Sequence, residues 1–182
     1  MSLTTLVDNS TTDKNTLHSY LHLYDVILAP RRKTAEIVLE IGVRDGGSID
    51  LWQKYFTRAA VHGVEISTQV PAILQSANSR VCLHMGADAY SNNFVNTLPP
   101  VLDVVLDDGP HTIASMVACI NLYAPRLAPE GVLIIEDVQS PEWFDVLTAA
   151  VPVELAGFVR KFDLRATKGR YDDLVFVIDK SL

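Results

Sequence analysis

The sequence predicts an α/β fold in which a doubly wound, mainly parallel β-sheet is covered by helices on both faces. Short apolar runs alternate with segments of helical periodicity from about residue 37 onward. Strands buried on both faces are apolar along their length, and alternation with helices is typical of parallel sheets. The 182 residues, 48% of them hydrophobic, fit one domain with its own core.

The elements follow in a regular order after a Ser/Thr/Asn-rich tail, residues 1–14, which we expect to be flexible. A single domain should therefore occupy residues 15–182. Residues 15–29 are predicted to be helical because apolar residues recur every three or four positions, and Pro30 ends the run. Strands are then predicted at 37–41, 61–66, 81–84, 102–106 and 132–135. Each leads into a helix, at 48–56, 71–76, 92–98, 112–122 and from Ser140 onward. Two candidate strands close the chain, at 153–162 and 173–178.

Charge and composition exclude several classes of protein. The net charge of −7 provides no general attraction to nucleic acid or to anionic membranes, so we expect neither as a partner. Cys82 and Cys119 lie in apolar runs, as free thiols of a cytoplasmic protein would.

His18 and His22 are interpreted as an exposed helix face rather than metal ligands. The basic segment 160–170 fits either a solvated edge hairpin or a basic lip beside an anionic or sugar substrate.

The end of the first strand carries a glycine turn. In parallel α/β sheets, ligands bind beyond the carboxyl ends of the strands. Gly42 and Gly46 stand there in the spacing G-x-x-x-G-G, with Arg44 between them, so this is not the dinucleotide fingerprint G-x-G-x-x-G. Glu40 would repel a pyrophosphate and suits a ligand that carries an ammonium group. Ser48, at the start of the next helix, completes this group of cofactor-binding candidates.

The next two strand ends supply further cofactor-binding candidates. Glu65 ends the second strand, where a carboxylate can accept both hydroxyls of a ribose, and Ile66 follows it. Asp88 follows the third strand, near the position of an adenine edge. Taken alone, each of these acids could equally be an exposed residue at the start of a loop.

Strands four and five end in adjacent acidic pairs, Asp107-Asp108 and Glu136-Asp137. Where two such strands are neighbours in a sheet they lie about 4.8 Å apart, so their loops would bring up to four carboxylates together, and a hard divalent cation would relieve the repulsion. A simple Asp-Gly turn and an acid before a helix remain the alternative. Adjacent residues at a strand end point opposite ways, so Asp107 should not share the role of Asp108.

His111 lies three residues beyond Asp108, at the start of the following helix. A metal-bound hydroxyl is more acidic than a free one, and a histidine beside it is a common general base. We therefore expect His111 and Asp108 to be catalytic. The alternative is that His111 is simply the residue at the start of the helix and has no catalytic role.

The combined pattern resembles class I S-adenosylmethionine-dependent methyltransferases over about residues 36–180. The stretches LEIGVRDGGSIDLW, VVLDDGPHT and GVLIIEDVQ further resemble the magnesium-dependent sugar O-methyltransferases of the macrocin and mycinamicin type. The resemblance implies a Rossmann-like, seven-stranded sheet whose last strand is antiparallel. It implies S-adenosylmethionine as the cofactor, Mg²⁺ held by Asp108, Glu136 and Asp137, and His111 as the base. Asp107 would assist, next to the cofactor.

The activity expected from this resemblance is O-methylation of a sugar or glycosylated small molecule. A catechol or other phenol is an alternative acceptor, and a non-catalytic S-adenosylmethionine-binding accessory protein is an alternative class. An NAD-dependent dehydrogenase is a third, disfavoured by the glycine spacing. From its length we expect a smaller enzyme than those of the macrolide type, without their large N-terminal region. The acceptor and the oligomeric state, including a homo-oligomer, are therefore left open.

Overall fold

A computed structural model describes residues 1–181 and shows a sheet with seven strands in the order β3-β2-β1-β4-β5-β7-β6. The strands are β1 Ile37–Ile41, β2 Ala60–Glu65, β3 Val81–Met85, β4 Leu102–Asp107, β5 Leu127–Ile135, β6 Val159–Asp163 and β7 Leu174–Asp179. The first five pair in parallel, and β7 runs antiparallel between β5 and β6. The predicted Rossmann-like fold with an antiparallel last strand is confirmed.

Helices cover both faces of this sheet. They are α1 Leu3–Leu6, α2 Tyr20–Leu28, α3 Gly47–Tyr55, α4 Asn92–Val95, α5 Ile113–Tyr123, α6 Trp143–Ala150 and α7 Arg165–Lys168. Short 3₁₀ turns occupy Ala29–Arg31, Ala72–Leu74, Ala124–Arg126 and Val153–Phe158. Within residues 1–181, no helix is both long and apolar enough to span a membrane.

The core has two halves because successive residues of a strand point to opposite faces of the sheet. Leu39 and Ile41 of β1 pack on the side of α5 and α6, whereas Val38 packs on the side of α2 and α3. All three side chains are buried. Strand β1 is therefore covered on both faces, which explains its nearly continuous apolar sequence.

Several elements differ from the predicted ones, among them the helix predicted at 92–98, which is the single turn Asn92–Val95. The strand predicted at 153–162 is confirmed only from Val159 onward, because Val153–Phe158 form a 3₁₀ helix before β6, in which Leu155 donates its N–H to the Pro152 carbonyl at 2.8 Å. Helix α6 begins at Trp143, because the Ser140 hydroxyl donates to the carboxylate of Glu142 instead of capping a helix. The predicted helix at 71–76 is a single turn, Ala72–Leu74.

The N-terminal segment also differs from the flexible tail that its composition predicts. Leu3 is buried, and its N–H donates to the carboxylate of Asp25 at 2.7 Å. Lys14 is only 1% exposed. Residues 1–14 therefore pack on the domain, although isolated apolar residues such as Leu3 and Leu6 produce no periodic pattern in the sequence.

The region before α2 is irregular, which corrects the interpretation of His18. Because α2 begins at Tyr20, His18 and His22 do not share a helix face. His18 is buried, whereas His22 is exposed.

Candidate functional site

A cleft of about 750 Å³ opens at the carboxyl ends of the parallel strands. The loops after β1, β2, β3, β4 and β5 line it, together with residues 9–13 and His18. This volume lies within the range of pockets that bind small molecules. The N-terminal segment thus forms a wall of the cleft.

The glycine turn after β1 is shaped by its neighbours. Gly42 has a φ of +91°, and a Cβ there would lie 2.0 Å from the carbonyl oxygen of Asp108. At Gly47 a Cβ would lie 2.0 Å from the carbonyl oxygen of Thr11. Gly46 has a φ of +85° and leads into α3. These glycines therefore let the β4 loop and the N-terminal segment approach the turn closely.

Left-handed backbone at residues other than glycine is confined to this region among residues 1–181. Arg44, His111 and Asp137 have φ values of 46°, 51° and 54°. All three line the cleft. Such conformations cost free energy and are concentrated at functional sites, so this strain marks the cleft independently of its charges.

Glu65 holds the glycine turn in place. Its carboxylate accepts N–H groups from Val43 at 3.1 Å, Arg44 at 3.0 Å and Ser67 at 3.1 Å. Burial alone would raise the pKa of Glu65, but these backbone donors lower it below its usual value, so the group stays ionised.

Ile66 and Asp88 lie at the same end of the cleft. The Ile66 side chain is 72% exposed, an unusual position for a large apolar residue. Asp88 is also exposed, and its carboxylate accepts the N–H of Tyr90 at 2.9 Å. Both residues are therefore accessible to a ligand.

Asp108, His111 and Asp137 come together at the other end of the cleft. His111 Nε2 lies 3.7 Å from Asp108 Oδ1 and 3.6 Å from Asp137 Oδ2. One potential ligand atom from each residue lies within 4.8 Å of the others. Mg²⁺ is commonly held by one or two carboxylates and several waters, so this donor set fits a hard divalent cation.

Glu136, also predicted as a metal ligand, lies beside this group and lines the same cleft. It is 2% exposed, and its Oε1 accepts a hydrogen bond from Lys14 while its Oε2 accepts one from the Tyr24 hydroxyl. Lys14 Nζ also lies 2.7 Å from Asp108 Oδ2 and 3.7 Å from Glu40 Oε1. An ammonium group from the protein itself therefore offsets much of the predicted carboxylate repulsion.

Lys14 remains charged despite its burial. Burial lowers the pKa of a lysine, but Asp108, Glu136 and Glu40 together raise the pKa of Lys14 well above its usual value. No sequence pattern indicates this contact, because Lys14 lies 94 residues from Asp108 in a polar segment.

Glu40 and Asp107 were predicted to contact the cofactor, but both are buried behind the cleft wall. Glu40 is 0% exposed and accepts the Ser48 hydroxyl at 2.7 Å, and burial raises its pKa to about 7. Asp107 accepts the Tyr90 hydroxyl at 2.6 Å, and burial raises its pKa to about 6. Asp107 thus points away from Asp108, whereas Ser48 reaches the cleft.

Aromatic rings stack next to the group formed by Asp108, His111 and Asp137, here called the acidic centre. Tyr20 donates its hydroxyl to Asp137, and its ring stacks on His18 at 4.9 Å and on Tyr24 at 5.7 Å. The Tyr24 ring in turn lies 6.4 Å from that of Trp52. His18 Nδ1 lies 2.7 Å from Asp173 Oδ1, so a second buried acid group adjoins the centre.

The basic segment 160–170 does not reach the cleft in the described part of the chain. Arg160 and Lys161 are exposed on the edge strand β6, and Arg165 pairs with Asp163 at 2.7 Å. Lys168 Nζ donates to the His18 carbonyl at 2.7 Å. The arrangement fits the solvated edge rather than the substrate lip.

The fold and the cleft together define a methyltransferase domain. Residues 39–138 match the family model described as a methyltransferase domain, and the chain belongs to this family. The match begins in β1 and ends just after the Glu136-Asp137 pair.

Curated relatives are named as O-methyltransferases. The chain is 33% identical over 145 residues to the 8-demethyl-8-alpha-L-rhamnosyl tetracenomycin-C 2'-O-methyltransferase of Streptomyces olivaceus, covering 72% of this chain and 36% of the relative. It is 27% identical over 155 residues to the mycinamicin VI 2''-O-methyltransferase of Micromonospora griseorubida, covering 78% and 37%. The chain thus spans roughly a third of each relative's length.

A solved structure extends the likeness to the fold. The MycE methyltransferase from the mycinamycin biosynthetic pathway, in complex with Mg and SAH, superposes with a TM-score of 0.74 at 22% identity. The alignment covers 98% of this chain and 54% of that one. These comparisons confirm the resemblance stated from the sequence motifs.

Proposed function

We propose that the chain is a divalent-metal-dependent O-methyltransferase that uses S-adenosylmethionine and acts on a hydroxyl of a sugar or glycosylated small molecule. The observation that carries this proposal is the Asp108–His111–Asp137 group in a cleft that the glycine turn and Glu65 also line. The named activities of the curated relatives support the same chemistry.

The glycine-turn end of the cleft fits the cofactor. The ionised carboxylate of Glu65 lines the cleft where a ribose hydroxyl would donate to it, and the glycine turn leaves room for close approach. The exposed side chain of Ile66 would pack against the purine ring, and the carboxylate of Asp88 would accept a hydrogen bond from the amino group of the purine. When bound, S-adenosylmethionine would supply a methyl group on a sulfonium: the acceptor oxygen would bond to the methyl carbon in line as the S–C bond breaks, and S-adenosylhomocysteine would leave.

The acidic end fits the metal and the acceptor. Asp108 and Asp137 would hold Mg²⁺, which when bound lowers the pKa of the acceptor hydroxyl and fixes its orientation. His111 Nε2 faces both carboxylates and would receive the proton of that hydroxyl. The carboxylates also stabilise the imidazolium that results.

Methyl transfer to a panel of free and glycosylated sugars, with Mg²⁺ or with EDTA, tests this proposal. We expect metal-dependent turnover that EDTA removes and that Asp137→Asn lowers at least about a hundredfold, since the hydroxyl is then no longer activated. Asp145→Asn is the matched control, because the Asp145 side chain is 92% exposed on α6. Absence of turnover on every acceptor would contradict the proposal.

A His111→Ala variant separates a sugar acceptor from a phenolic one. An alcohol holds its proton tightly, so we expect this variant to lose about 10²–10⁴-fold in turnover. A phenol is acidic enough to depend mainly on the metal. Nearly full activity of His111→Ala on a catechol would therefore favour the phenolic alternative.

A further inference from the structure

We propose that Tyr20 and His18 are positioning residues that hold one carboxylate oxygen of Asp137, Oδ1, so that a divalent cation is bound through the other oxygen alone. Binding through single carboxylate oxygens favours Mg²⁺ over Ca²⁺, so the pair also sets the metal preference of the acidic centre. The inference deepens the proposed function and rests on it in requiring that a divalent cation binds at Asp108 and Asp137.

The two oxygens of Asp137 have different surroundings. Oδ1 accepts the Tyr20 hydroxyl, and His18 Nδ1 lies 3.3 Å from the same oxygen. Oδ2 instead lies 3.6 Å from Nε2 of His111, which lines the cleft with a side chain that is 33% exposed. Oδ1 is thus surrounded by buried protein groups, and Oδ2 is the oxygen that a cation in the cleft can reach.

The groups beside Oδ1 are fixed by their own packing. Tyr20 is 0% exposed, and its ring stacks on those of His18 at 4.9 Å and Tyr24 at 5.7 Å. His18 Nδ1 lies 2.7 Å from Oδ1 of Asp173, which is also 0% exposed. Outer partners of this kind orient the groups that bind a metal. We therefore expect the Tyr20 hydroxyl to stay on Oδ1 when a cation binds.

The backbone of Asp137 is fixed as well. Its φ of 54° lies in the left-handed region, which costs free energy at a residue other than glycine. Gln139 Nε2 donates to the Asp137 carbonyl at 2.8 Å, and the N–H of Val138 donates to the Leu174 carbonyl at 3.1 Å. Because the main chain and Oδ1 are both held, the carboxylate has little freedom to turn its second oxygen toward a cation.

Asp108 is divided between partners in the same way. Its Oδ2 lies 2.7 Å from Lys14 Nζ, whereas its Oδ1 lies 3.7 Å from His111 Nε2. Each of the two aspartates thus offers one oxygen on the side of His111. Mg²⁺ is bound in octahedral geometry by a few carboxylate oxygens and several waters, whereas Ca²⁺ takes more oxygens and often both oxygens of one carboxylate. The arrangement therefore suits Mg²⁺ better than Ca²⁺.

Displacement of Mn²⁺ from EDTA-treated protein, followed by electron paramagnetic resonance of the free ion, measures the affinities for Mg²⁺ and Ca²⁺ without substrate or cofactor. We expect the wild type to bind Mg²⁺ at least about tenfold more tightly than Ca²⁺. Tyr20→Phe keeps the ring in the stack and removes only the hydroxyl, so Oδ1 becomes free to bind a cation. The ratio of the Ca²⁺ to the Mg²⁺ dissociation constant should fall about tenfold in this variant.

This ratio of dissociation constants separates positioning from a merely structural role. A loosened fold would weaken the binding of both ions by similar factors and leave the ratio unchanged. Tyr123→Phe is the matched control, because it removes another buried tyrosine hydroxyl, one that donates to the Ala89 carbonyl at 2.6 Å. It should leave the ratio at the wild-type value.

A second variant keeps the experiment decisive if circular dichroism shows that Tyr20→Phe does not fold. His18→Phe also keeps a ring in the stack, and it removes the nitrogen beside Oδ1. The ratio should fall about threefold or more in His18→Phe, and an unchanged ratio there would contradict the inference.

The outcomes separate this inference from the proposed function. Ca²⁺ bound as tightly as Mg²⁺ by the wild type overturns the inference, as does an unchanged ratio in Tyr20→Phe. Absence of binding of all three ions by the wild type overturns it together with the metal dependence of the proposed function. A lowered ratio in Tyr20→Phe, with no methyl transfer to any acceptor, supports the inference and overturns the proposed activity.

Discussion

At the scale of single residues, Glu40 shows how burial alone changes the chemistry of a side chain. Its carboxyl is 0% exposed and accepts one hydrogen bond, from Ser48, while Lys14 Nζ lies 3.7 Å away. Burial raises its pKa to about 7, and Lys14 opposes this rise only in part. The ionised form of Glu40 is therefore a cost to the folded state near neutral pH.

The Glu40→Gln variant should make stability less dependent on pH. Between the unfolded pKa near 4.5 and the folded pKa of about 7, the folded state keeps a proton that the unfolded state has lost. Stability contributed by this proton is present below that window and is lost as the pH rises through it, by on the order of 3 kcal/mol. Urea unfolding in EDTA at pH 5 and pH 8 should show a smaller fall in the variant.

Glu36→Gln is the control for this comparison, because Glu36 is exposed. It should keep the wild-type dependence on pH. An equally steep fall in Glu40→Gln and in the wild type would show that Glu40 does not contribute.

The residues of the acidic centre were predictable because strand register brings them together. Asp107 at the end of β4 is paired with Ile135 at the end of β5, so the acids that follow each strand lie at the same level. Lys14 and Tyr24 were not predictable as partners of Glu136. They come from an irregular segment and from α2, and no periodicity in the sequence relates them to β5.

At the scale of elements, the turn between β1 and α3 depends on Gly47. A Cβ there would lie 2.0 Å from the Thr11 carbonyl oxygen, a backbone atom that cannot rotate away. The N-terminal segment and the first turn of α3 are thus in direct contact through a position that admits only hydrogen.

Gly47→Ala should displace the N-terminal segment and lower the free energy of unfolding by about 1–3 kcal/mol. Hydrogen exchange of amides in residues 9–14 should speed up, and urea unfolding should report the loss of stability. The control is Gly157→Ala, since a Cβ at Gly157 would have no atom within 4 Å. Equal exchange rates in the two variants would contradict a close contact at Gly47.

Among the elements, the central strands were the most predictable and the short helical turns the least. Strands β1 and β4 are buried on both faces, so their apolar sequences are continuous. Val153–Phe158 are also rich in apolar residues, but after Pro152 they form a 3₁₀ helix that precedes β6. A short apolar run does not distinguish the two conformations.

At the scale of the whole molecule, the N-terminal segment is part of the domain. Leu3 belongs to the core half that contains α2 and α3, and Lys14 provides the ammonium group beside Asp108 and Glu136. Residues 1–14 therefore contribute both apolar burial and charge compensation.

Removal of residues 1–14 should destabilise the remaining protein by at least about 3 kcal/mol. An uncompensated group of buried carboxylates accounts for most of this loss, and the burial of Leu3 for the rest. Urea unfolding of residues 15–182 and of the full chain provides the measurement. Removal of Met1 alone, which is 76% exposed, should have no effect. Equal free energies of unfolding for residues 15–182 and for the full chain would show that the N-terminal segment does not contribute to stability.

The aromatic stack behind the acidic centre ends at Trp52, one of two tryptophans in the chain. Indole emission responds to nearby charge and to the packing of adjacent rings. The Tyr24 ring that contacts Trp52 carries the hydroxyl bound to Glu136. The protein therefore contains an intrinsic fluorophore coupled to the Lys14–Glu136 contact. With Trp143 replaced by phenylalanine, a change of partner at Glu136 becomes an optical signal that needs no label.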